Sequence, residues 1–365
     1  MFYRAANPHG GDIYEGNIIL DFSANTNPLG TPPGVIEAMR AALDGAHRYP
    51  DPYCRELTKA IAEHEGIPRE YVLCGNGATD LIYAYCRAVS PSLAVETAPT
   101  FSEYSAALER AGCKVSRYLL DEDNEFDLDE EFIHYLDKAK PEAVFLCNPN
   151  NPTGRLIPQA LLEKILKFCD KSGTRLFVDE CFLDLADTDA GADNAGMKKF
   201  LKDHKNLFIL KAFTKSYGMA GVRLGYCLCS DGDLLEKMSQ ESCPWNVSSI
   251  AQAAGTAALR ESEFLIRTRE IIRKERKWLK NALESEGFRV CDSHANYLLF
   301  YGGSGLGKAL KEQCGIAVRD CSNYNGLENG WYRTAVRLHA ENEKLIECIR
   351  QVMQEKEEQL WQKTL

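Results

Sequence analysis

Six short runs between residues 71 and 228, most of them apolar throughout, constrain the fold more than any other feature. They comprise residues 71–74, 93–95, 143–147, 175–178, 207–210 and 226–228. A strand with one face in water alternates apolar and polar residues, whereas a strand without alternation is covered on both faces. Helical patterns separate the runs, for example at 81–89 and at 161–171, where Gly173 can end the helix. The sequence therefore predicts a doubly wound α/β domain with a mainly parallel sheet.

The pattern changes at about residue 240. The 365 residues exceed the size at which one hydrophobic core usually stops growing, so we expect two domains. Beyond residue 240 come a long charged helical pattern at 262–286, strand-like runs at 295–300 and 316–319, and a last helical pattern at 342–361. This order is typical of a smaller α+β domain.

These changes of pattern define the predicted boundaries. Residues 1–35 are rich in Gly, Asn and Pro and predict an irregular N-terminal arm. Residues 36–240 form the predicted large α/β domain, and residues 241–365 form the predicted small domain.

Composition disfavours several classes of function. A formal net charge of −10 argues against nucleic acid or an anionic membrane as a partner, although local arginines could still bind a small anionic substrate. The fourteen cysteines include no CxxC pair, and we interpret them as buried thiols rather than disulfides or metal ligands. The N-terminus lacks a basic segment followed by an apolar core, and no apolar stretch approaches a membrane span. We expect a cytoplasmic protein without a metal.

Four polar residues occur in an order that suits one cofactor. Asn151 lies in an Asn-Pro-Asn-Asn-Pro-Thr-Gly segment, and Asp179 follows an apolar run. Lys215 precedes Arg223 in a glycine-rich segment. An amine can form a Schiff base with pyridoxal phosphate, and a carboxylate can pair with the pyridinium nitrogen. No residue is specific alone, but the ordered set predicts a pyridoxal phosphate site.

A glycine-containing turn supplies the predicted phosphate site. Gly77 precedes Ala78 and Thr79, where an apolar run gives way to a helical pattern. Glycine lets the backbone approach a phosphate, and the N–H groups at a helix start hold the anion. Alone, this signal favours an ordinary α/β turn. Arg223 can supply a guanidinium to the same phosphate, which makes binding the better interpretation.

The cofactor ring needs a charged partner and an apolar cover. Asp179 lies at the carboxyl end of a predicted buried strand, where doubly wound folds bind ligands, although it could instead cap the next segment. Phe101 can stack on the ring, or it is an ordinary core residue. Lys215 could lie on the surface, but its neighbours Phe213 and Tyr217 favour a desolvated, nucleophilic amine.

Motifs along essentially the whole chain resemble one superfamily. They are His9-Gly10-Gly11 and the segments 20–30, 244–247, 295–299, 321–327 and 331–337. With the cofactor motifs, they make the chain similar to the fold-type I, pyridoxal-phosphate-dependent class I/II aminotransferases. Within that superfamily it resembles the histidinol-phosphate aminotransferases and, more closely, the L-threonine-O-3-phosphate decarboxylases of cobalamin synthesis. The resemblance implies an aspartate-aminotransferase-like fold.

The resemblance implies roles for the cofactor-site residues. Lys215 would be the Schiff-base lysine, Asp179 the partner of the pyridinium nitrogen and Asn151 the contact of the phenolic oxygen. The remaining implied cofactor contacts are Gly77, Ala78, Thr79, Phe101 and Arg223.

The resemblance also implies a homodimer and a small phosphorylated amino acid as substrate. Tyr49 matches a tyrosine that reaches the cofactor phosphate of the neighbouring subunit, which implies shared active sites. Arg333 matches the arginine that binds the substrate carboxylate. His9, Asn27 and Arg337 would lie near the substrate, where its phosphoryl group could sit.

Phe182 bears on the type of reaction. Many aminotransferases have a tyrosine three residues after the strand aspartate, whereas this chain, like decarboxylase-like sequences, has Phe182. The bond of the substrate Cα that breaks is the one perpendicular to the cofactor ring, so orientation decides the reaction. We expect decarboxylation of L-threonine O-3-phosphate or serine phosphate to an aminoalcohol phosphate. Amino transfer of the histidinol-phosphate type is the alternative, and a non-catalytic binding module is a third hypothesis.

Overall fold

The structure is a computed structural model that describes residues 9–14, 16–188 and 195–364, with the backbone alone for residues 356–364. Residues 1–8 and 15 of the predicted arm, and residue 365 of the predicted small domain, lie outside the described residues. Within the described ranges, none of the helices combines the length and the apolar composition that crossing a membrane requires.

A seven-stranded sheet forms the centre of the larger part of the chain. Its strands are β2 (Val72–Gly75), β3 (Leu93–Ala98), β4 (Lys114–Leu119), β5 (Ala143–Cys147), β6 (Arg175–Asp179), β7 (Leu207–Ala212) and β8 (Gly225–Cys229). Their order is β2-β8-β7-β6-β5-β3-β4, and every pairing is parallel except the two that β8 makes. The predicted mainly parallel α/β fold is thereby confirmed.

Helices accompany this sheet. They are α1 (Pro33–Ala42), α2 (Arg55–Glu65), α3 (Ala78–Val89), α4 (Glu103–Arg110), α5 (Glu131–Ala139), α6 (Gln159–Ser172), α7 (Phe213–Ser216), α8 (Gly232–Glu241) and α9 (Ser249–Ala258). The predicted helix at 161–171 is part of α6, and Gly173 follows it with a positive φ of 71°, as expected for a helix stop.

The central strands bury side chains on both faces, which explains why their sequences do not alternate. On one face, Phe145, Phe177 and Phe208 stack in a row, with ring centroids 4.6 and 4.9 Å apart. Tyr85 of α3 packs on this row at 4.5 Å from the ring of Phe208. On the other face, the intervening strand residues pack into a second core together with Ile165 of α6. Both cores lie between helices and sheet, so water reaches neither face.

The remaining chain forms a smaller antiparallel sheet with long helices. Its strands are β9 (Arg289–Val290), β10 (Tyr297–Tyr301), β12 (Arg319–Asp320) and β13 (Trp331–Ala335), in the order β12-β13-β10-β9. The helices of this part are α10 (Ser262–Ser285), α11 (Leu306–Cys314) and α12 (His339–Thr364). This mixture matches the predicted smaller α+β unit. Its exact boundaries stay a prediction.

The prediction of one strand at 316–319 is wrong. This segment forms two strands of two residues, β11 (Ile316–Ala317) and β12, and they belong to different sheets. The division arises because β11 pairs in parallel with β1 (Leu20–Asp21), a segment far away along the chain. The pairing with β1 joins the N-terminal arm to the segment that leads into β12 of the smaller sheet.

Candidate active site

A cavity of about 490 Å³ lies between the two sheets. Cys147 and Asp179, at the carboxyl ends of β5 and β6, line one side, and Arg319 and Arg333 of the smaller sheet line another. Doubly wound folds bind their ligands at the carboxyl ends of the strands, as here.

Lys215 lies in α7, the short helix that follows β7 directly. Burial and then the positive charge of Arg333 lower the pKa of its amine from 10.5 to about 8. Its Nζ atom lies 5.5 Å from the centre of the Phe182 ring. A desolvated amine with a lowered pKa is nucleophilic near neutral pH, which is the property that a bond to an aldehyde requires.

Asp179 is held in place by two donors. The hydroxyl of Tyr104 donates to Oδ2 at 2.6 Å, and the backbone N–H of Cys181 donates to Oδ1 at 2.9 Å. Burial raises the pKa of the carboxyl. Phe101 packs edge-on against Tyr104 with a centroid distance of 5.5 Å, and it also lines the cavity. A buried carboxylate beside an aromatic face suits a flat, cationic heterocycle.

The turn from β2 into α3 forms an anion site. Gly77 has a φ of +81°, and a Cβ atom there would overlap the guanidinium of Arg223. Gly225 likewise has no room for a Cβ, because the backbone N of Ala78 lies against it. These close approaches bring the guanidinium of Arg223 to the first residues of α3, where Ala78 and Thr79 line the cavity. Free N–H groups, a helix dipole and a guanidinium together bind a phosphate.

Arg333 projects from β13 and is buried. One guanidinium nitrogen donates to Ser23 O at 2.8 Å, and another contacts Asn151 Oδ1. Because the oxygen of Asn151 faces this arginine, its amide nitrogen is the donor left for a ligand. The Nε atom of Arg333 has no hydrogen-bond partner among the described residues.

Arg319 of β12 is the register partner of Arg333 and also lines the cavity. Its guanidinium donates to Asn323 Oδ1 at 2.6 Å and lies 5.2 Å from the centre of the Tyr324 ring. Asn25, which is 1% exposed, lines the same cavity, and its amide N and O have no partner within the described parts of the chain. Buried polar groups are normally paired, so these atoms point to a polar ligand.

Most of the residues predicted for the site line one cavity. They are His9, Ala78, Thr79, Phe101, Asn151, Asp179, Lys215, Arg223 and Arg333. Gly77 adjoins this group through its contact with Arg223. His9 pairs with Glu103 of α4 at 2.7 Å and lies 5.8 Å from the Phe101 ring.

Asn27 does not line the cavity. Its Nδ2 donates to the backbone oxygen of Ser216 at 2.8 Å and to Thr268 Oγ1 at 3.0 Å. Ser216 is the neighbour of Lys215, and its hydroxyl also donates to Asp184 at 3.1 Å. The structure therefore places Asn27 behind the lysine, where it ties α7 to α10, instead of on the substrate side.

Arg337 and Tyr49 also lie outside the cavity lining. Arg337 follows β13, and its guanidinium pairs with Glu341 at 2.8 Å. Its predicted role at the substrate therefore stays a prediction. Tyr49 is 81% exposed and packs against Trp245 at a centroid distance of 4.8 Å. Its predicted contact lies in a neighbouring subunit, so a single chain leaves that prediction open.

Sequence reasoning gave no site role to several residues that line the cavity. Among them are Asn25, Glu103, Arg319 and Tyr324. Two weak signals were present: Asn25 shares an Asn-Thr-Asn segment with the predicted Asn27, and Arg319 directly follows an apolar run.

The residues of the cavity fit pyridoxal phosphate. The anion site suits its phosphate, Asp179 its ring nitrogen, Phe101 its face and Lys215 its aldehyde. Across the described residues, no group of three or more His, Cys, Asp or Glu side chains is arranged to hold a metal ion. Fold and site together define a pyridoxal-phosphate-dependent enzyme of the aspartate aminotransferase fold.

Comparisons with known proteins lead to one family. The model of the family described as aminotransferase class I and II matches residues 17–349. The chain is 35% identical over 357 residues to the threonine-phosphate decarboxylase of Salmonella typhimurium. The aligned region covers 94% of this chain and 96% of that protein. It is 33% identical over 346 residues to the histidinol-phosphate aminotransferase of Methanothermobacter thermautotrophicus, with 92% and 89% covered.

A solved structure agrees with these relatives. The histidinol-phosphate aminotransferase of Clostridium acetobutylicum superposes with a TM-score of 0.84 at 28% identity, covering 92% of this chain and 99% of that one. The chain belongs to the class I and II aminotransferase family and is a pyridoxal-phosphate-dependent enzyme.

Proposed function

We propose that the protein decarboxylates L-threonine O-3-phosphate, or serine phosphate, to an aminoalcohol phosphate and carbon dioxide. In the first case the reaction would serve cobalamin synthesis. The proposal takes its substrate from the threonine-phosphate decarboxylase that is 35% identical to this chain. The positively charged residues that line the cavity supply its chemical support.

One observation carries the proposal: polar groups without a partner among the described residues lie beside positively charged residues in the lining of the cavity. The Nε atom of Arg333 and the amide of Asn25 have no hydrogen-bond partner among the described residues, and both residues line the cavity. Arg319 and His9 line the same cavity. A ligand with two anionic groups would satisfy these donors, as a phosphorylated amino acid does with its carboxylate and phosphate.

Most of these residues hold the substrate, and one residue, Lys215, moves a proton. Pyridoxal phosphate, when bound, supplies an electron sink for negative charge on the substrate Cα. Arg333 binds the carboxylate, and Arg319 with His9 and Asn25 binds the phosphate, so that two fixed points set the orientation of Cα. Lys215 carries the proton that replaces the lost carboxylate on Cα. The orientation of the Cα–carboxylate bond relative to the cofactor ring then determines that carbon dioxide is the group lost.

Phe182 favours decarboxylation over amino transfer. Its ring lies in the cavity beside the amine of Lys215 and packs against Tyr297 at 5.0 Å. Phenylalanine offers no hydroxyl to the phenolic oxygen of the cofactor, whereas many aminotransferases supply one at this position. The apolar ring also excludes water from that side of the site.

Amino transfer of the histidinol-phosphate type is the second candidate. The 33% identity to a histidinol-phosphate aminotransferase favours it, and so does the high similarity to a solved structure of that enzyme. Two arginines would also suit a dicarboxylate such as 2-oxoglutarate. This candidate requires that an added amino donor converts the cofactor to its amine form without release of carbon dioxide.

The test measures carbon dioxide from carboxyl-labelled L-threonine O-3-phosphate and L-serine O-phosphate without any 2-oxo acid. We expect release from at least one of them, and far less from threonine without phosphate. Arg319→Gln should raise the KM for the phosphorylated substrate about 100-fold, because it removes a charged contact to a phosphate.

Arg337→Gln is the matched control. It removes the same type of side chain four residues beyond Arg333 but outside the cavity, so the KM should stay near the wild-type value. A large effect of Arg337→Gln and none of Arg319→Gln would contradict the assignment of the phosphate site. No carbon dioxide from either substrate would contradict the proposed function itself.

A further inference from the structure

A hydrogen-bonded chain connects the N-terminal arm to the rim of the cavity. His9 Nε2 pairs with Glu103 Oε1 at 2.7 Å, and the hydroxyl of Tyr83 donates to Glu103 Oε2 at 2.9 Å. Arg110 donates to the oxygen of Tyr83 at 2.6 Å and lies over its ring. Both carboxylate oxygens of Glu103 are therefore engaged, and its side chain is 15% exposed. The hydrogen bond from His9 lowers the pKa of Glu103.

The arm is also fixed on its other side. A Cβ atom at Gly10 would overlap the backbone oxygen of Ser23, so the two segments are in direct contact. The N–H of Gly11 donates to Ser23 Oγ at 2.8 Å, and Ser23 O accepts from Arg333. His9 is thus held between Glu103 and the segment around Ser23, which accepts a hydrogen bond from Arg333. These two attachments help to set its position relative to Arg333.

The position of His9 matters for a phosphorylated β-hydroxy amino acid, because such a substrate can lose its phosphate during the reaction. Loss of carbon dioxide leaves an electron pair on Cα, and the wanted outcome is that a proton takes it up. The competing outcome is that the Cβ–O bond breaks and its electron pair departs with phosphate. The enamine that remains is hydrolysed, so that threonine phosphate and water give propanal, carbon dioxide, ammonia and phosphate. No oxidant or reductant is involved.

Alignment of the Cβ–O bond can suppress this loss of phosphate. The Cβ–O bond breaks when it lies parallel to the orbital that holds the electron pair on Cα. Positive groups around the phosphate stabilise it as it leaves, as well as when it is bound. A firmly oriented phosphate can keep the Cβ–O bond away from the reactive alignment, whereas a loosely held one cannot.

We propose that Glu103 is a positioning residue that acts through His9 to fix the direction of the substrate phosphate and so prevents its elimination. This inference rests on the proposed decarboxylation. Glu103 lines the cavity, but His9 and Tyr83 engage both of its carboxylate oxygens, so it acts by holding the imidazole that binds the phosphate. The role goes beyond substrate binding, because it determines which product forms after carbon dioxide has left.

The test is the ratio of inorganic phosphate to carbon dioxide released from L-threonine O-3-phosphate by the holoenzyme. In the elimination described above, phosphate is lost only after carbon dioxide, so a general loss of structure lowers both and leaves the ratio unchanged. Propanal formed in step with the phosphate distinguishes this route from elimination after loss of the Cα hydrogen, which gives 2-oxobutanoate and no carbon dioxide. Glu103→Ala should raise the ratio at least about tenfold, the size of effect expected for a lost charge-assisted hydrogen bond. Glu103→Gln, which can still accept a hydrogen bond from His9, should give an intermediate ratio.

Two further variants test the route through His9. His9→Ala should raise the ratio as Glu103→Ala does, and the double variant should add nothing, because coupled residues are not additive. Glu109→Ala is the control: Glu109 is on the same helix, is exposed and contacts Arg117, and the ratio should not change. A wild-type ratio in Glu103→Ala, or multiplied effects in the double variant, would overturn the inference alone. Absence of carbon dioxide from the wild-type enzyme would overturn the proposed function, and this inference with it.

Discussion

Lys215 shows how one side chain acquires its chemistry from its surroundings. Its pKa of about 8 follows from burial and from the positive charge of Arg333, and the amine is the reactive form. The neutral fraction rises with pH through the pKa. We therefore expect the cofactor-free protein to bind pyridoxal phosphate at a rate that rises with pH, with a midpoint near pH 8, and then levels off. An unperturbed lysine would still be gaining rate at pH 10.

The measurement is the growth of the yellow absorbance after mixing, at a series of pH values. Arg333→Gln should shift the midpoint to higher pH, because the protonated amine then loses a repulsive neighbour. Lys215→Ala should give no such absorbance at any pH. If the midpoint stayed the same in Arg333→Gln, burial and the charge of Arg223 would account for the lowered pKa without Arg333.

Individual residues differed in how well the sequence predicted them. Asp179 was found because it ends an apolar run, where only a partner makes a carboxylate tolerable, and Lys215 was found from its place in the ordered set of polar residues. Arg337 was expected at the substrate and Arg319 was missed, although both are arginines near strand ends. Two contacts distinguish them. The pairing of β12 with β13 places Arg319 opposite Arg333, whereas the carboxylate of Glu341 binds Arg337. Neither contact has a local signal in the sequence.

The element that binds the phosphate is a strand, a turn and a helix, and Gly77 is its critical point. Its φ of +81° and ψ of 162° lie in a region that essentially only glycine occupies, and a Cβ there would displace the Arg223 guanidinium. We expect Gly77→Ala to weaken the affinity for pyridoxal phosphate at least about tenfold, because a charged contact to the phosphate is lost. Titration of the cofactor-free protein, followed by absorbance, measures this affinity.

Gly112→Ala is the matched control for the backbone. Gly112 also has a φ of +81°, but no atom lies within 4 Å of an added Cβ. Alanine there should cost about 1–2 kcal/mol of stability without changing the affinity for the cofactor. Equal affinities in the two variants would show that Arg223 is not held by Gly77.

The elements of the large sheet were predictable where both faces are buried. The six apolar runs correspond to six of its strands, because each of those strands lies under helices. β4 was missed, since it is the last strand of the sheet and its residues, Lys114–Leu119, are partly or fully exposed. An edge strand of this kind tolerates polar residues and so carries no apolar run. The same limit applies to β11 and β12, whose separation depends on a distant partner strand.

At the scale of the whole molecule, the site exists only because distant segments meet. Lys215 and Asp179 come from the large sheet, Arg319 and Arg333 come from the smaller one, and His9 comes from the arm. The order of these residues in the chain predicted the cofactor, since the cofactor contacts follow strands of one sheet. The substrate side could not be predicted equally well, because it depends on how the two sheets and the arm pack together.

Tyr49 raises the question of whether the site is complete within one chain. It is 81% exposed, and its aromatic neighbour Trp245 is 47% exposed. Large exposed aromatic pairs are typical of surfaces that bind a partner. The resemblance to the family implies that Tyr49 reaches the cofactor phosphate of a second subunit, so we expect a homodimer in which each site uses both chains.

Mixing two defective variants tests this arrangement. Lys215→Ala lacks the reactive amine, and Tyr49→Ala lacks the contact offered to the neighbouring site. Subunits that exchange at random form hybrid dimers, in which one site takes its lysine from the Tyr49→Ala chain and its tyrosine from the Lys215→Ala chain. That site is intact, so about a quarter of all sites should recover wild-type turnover, as the two-fold symmetry of a dimer requires. If Tyr49 served its own chain, each hybrid site would keep one of the two lesions and no activity would return on mixing. The comparison uses total turnover before and after exchange, with each variant mixed with itself as the control.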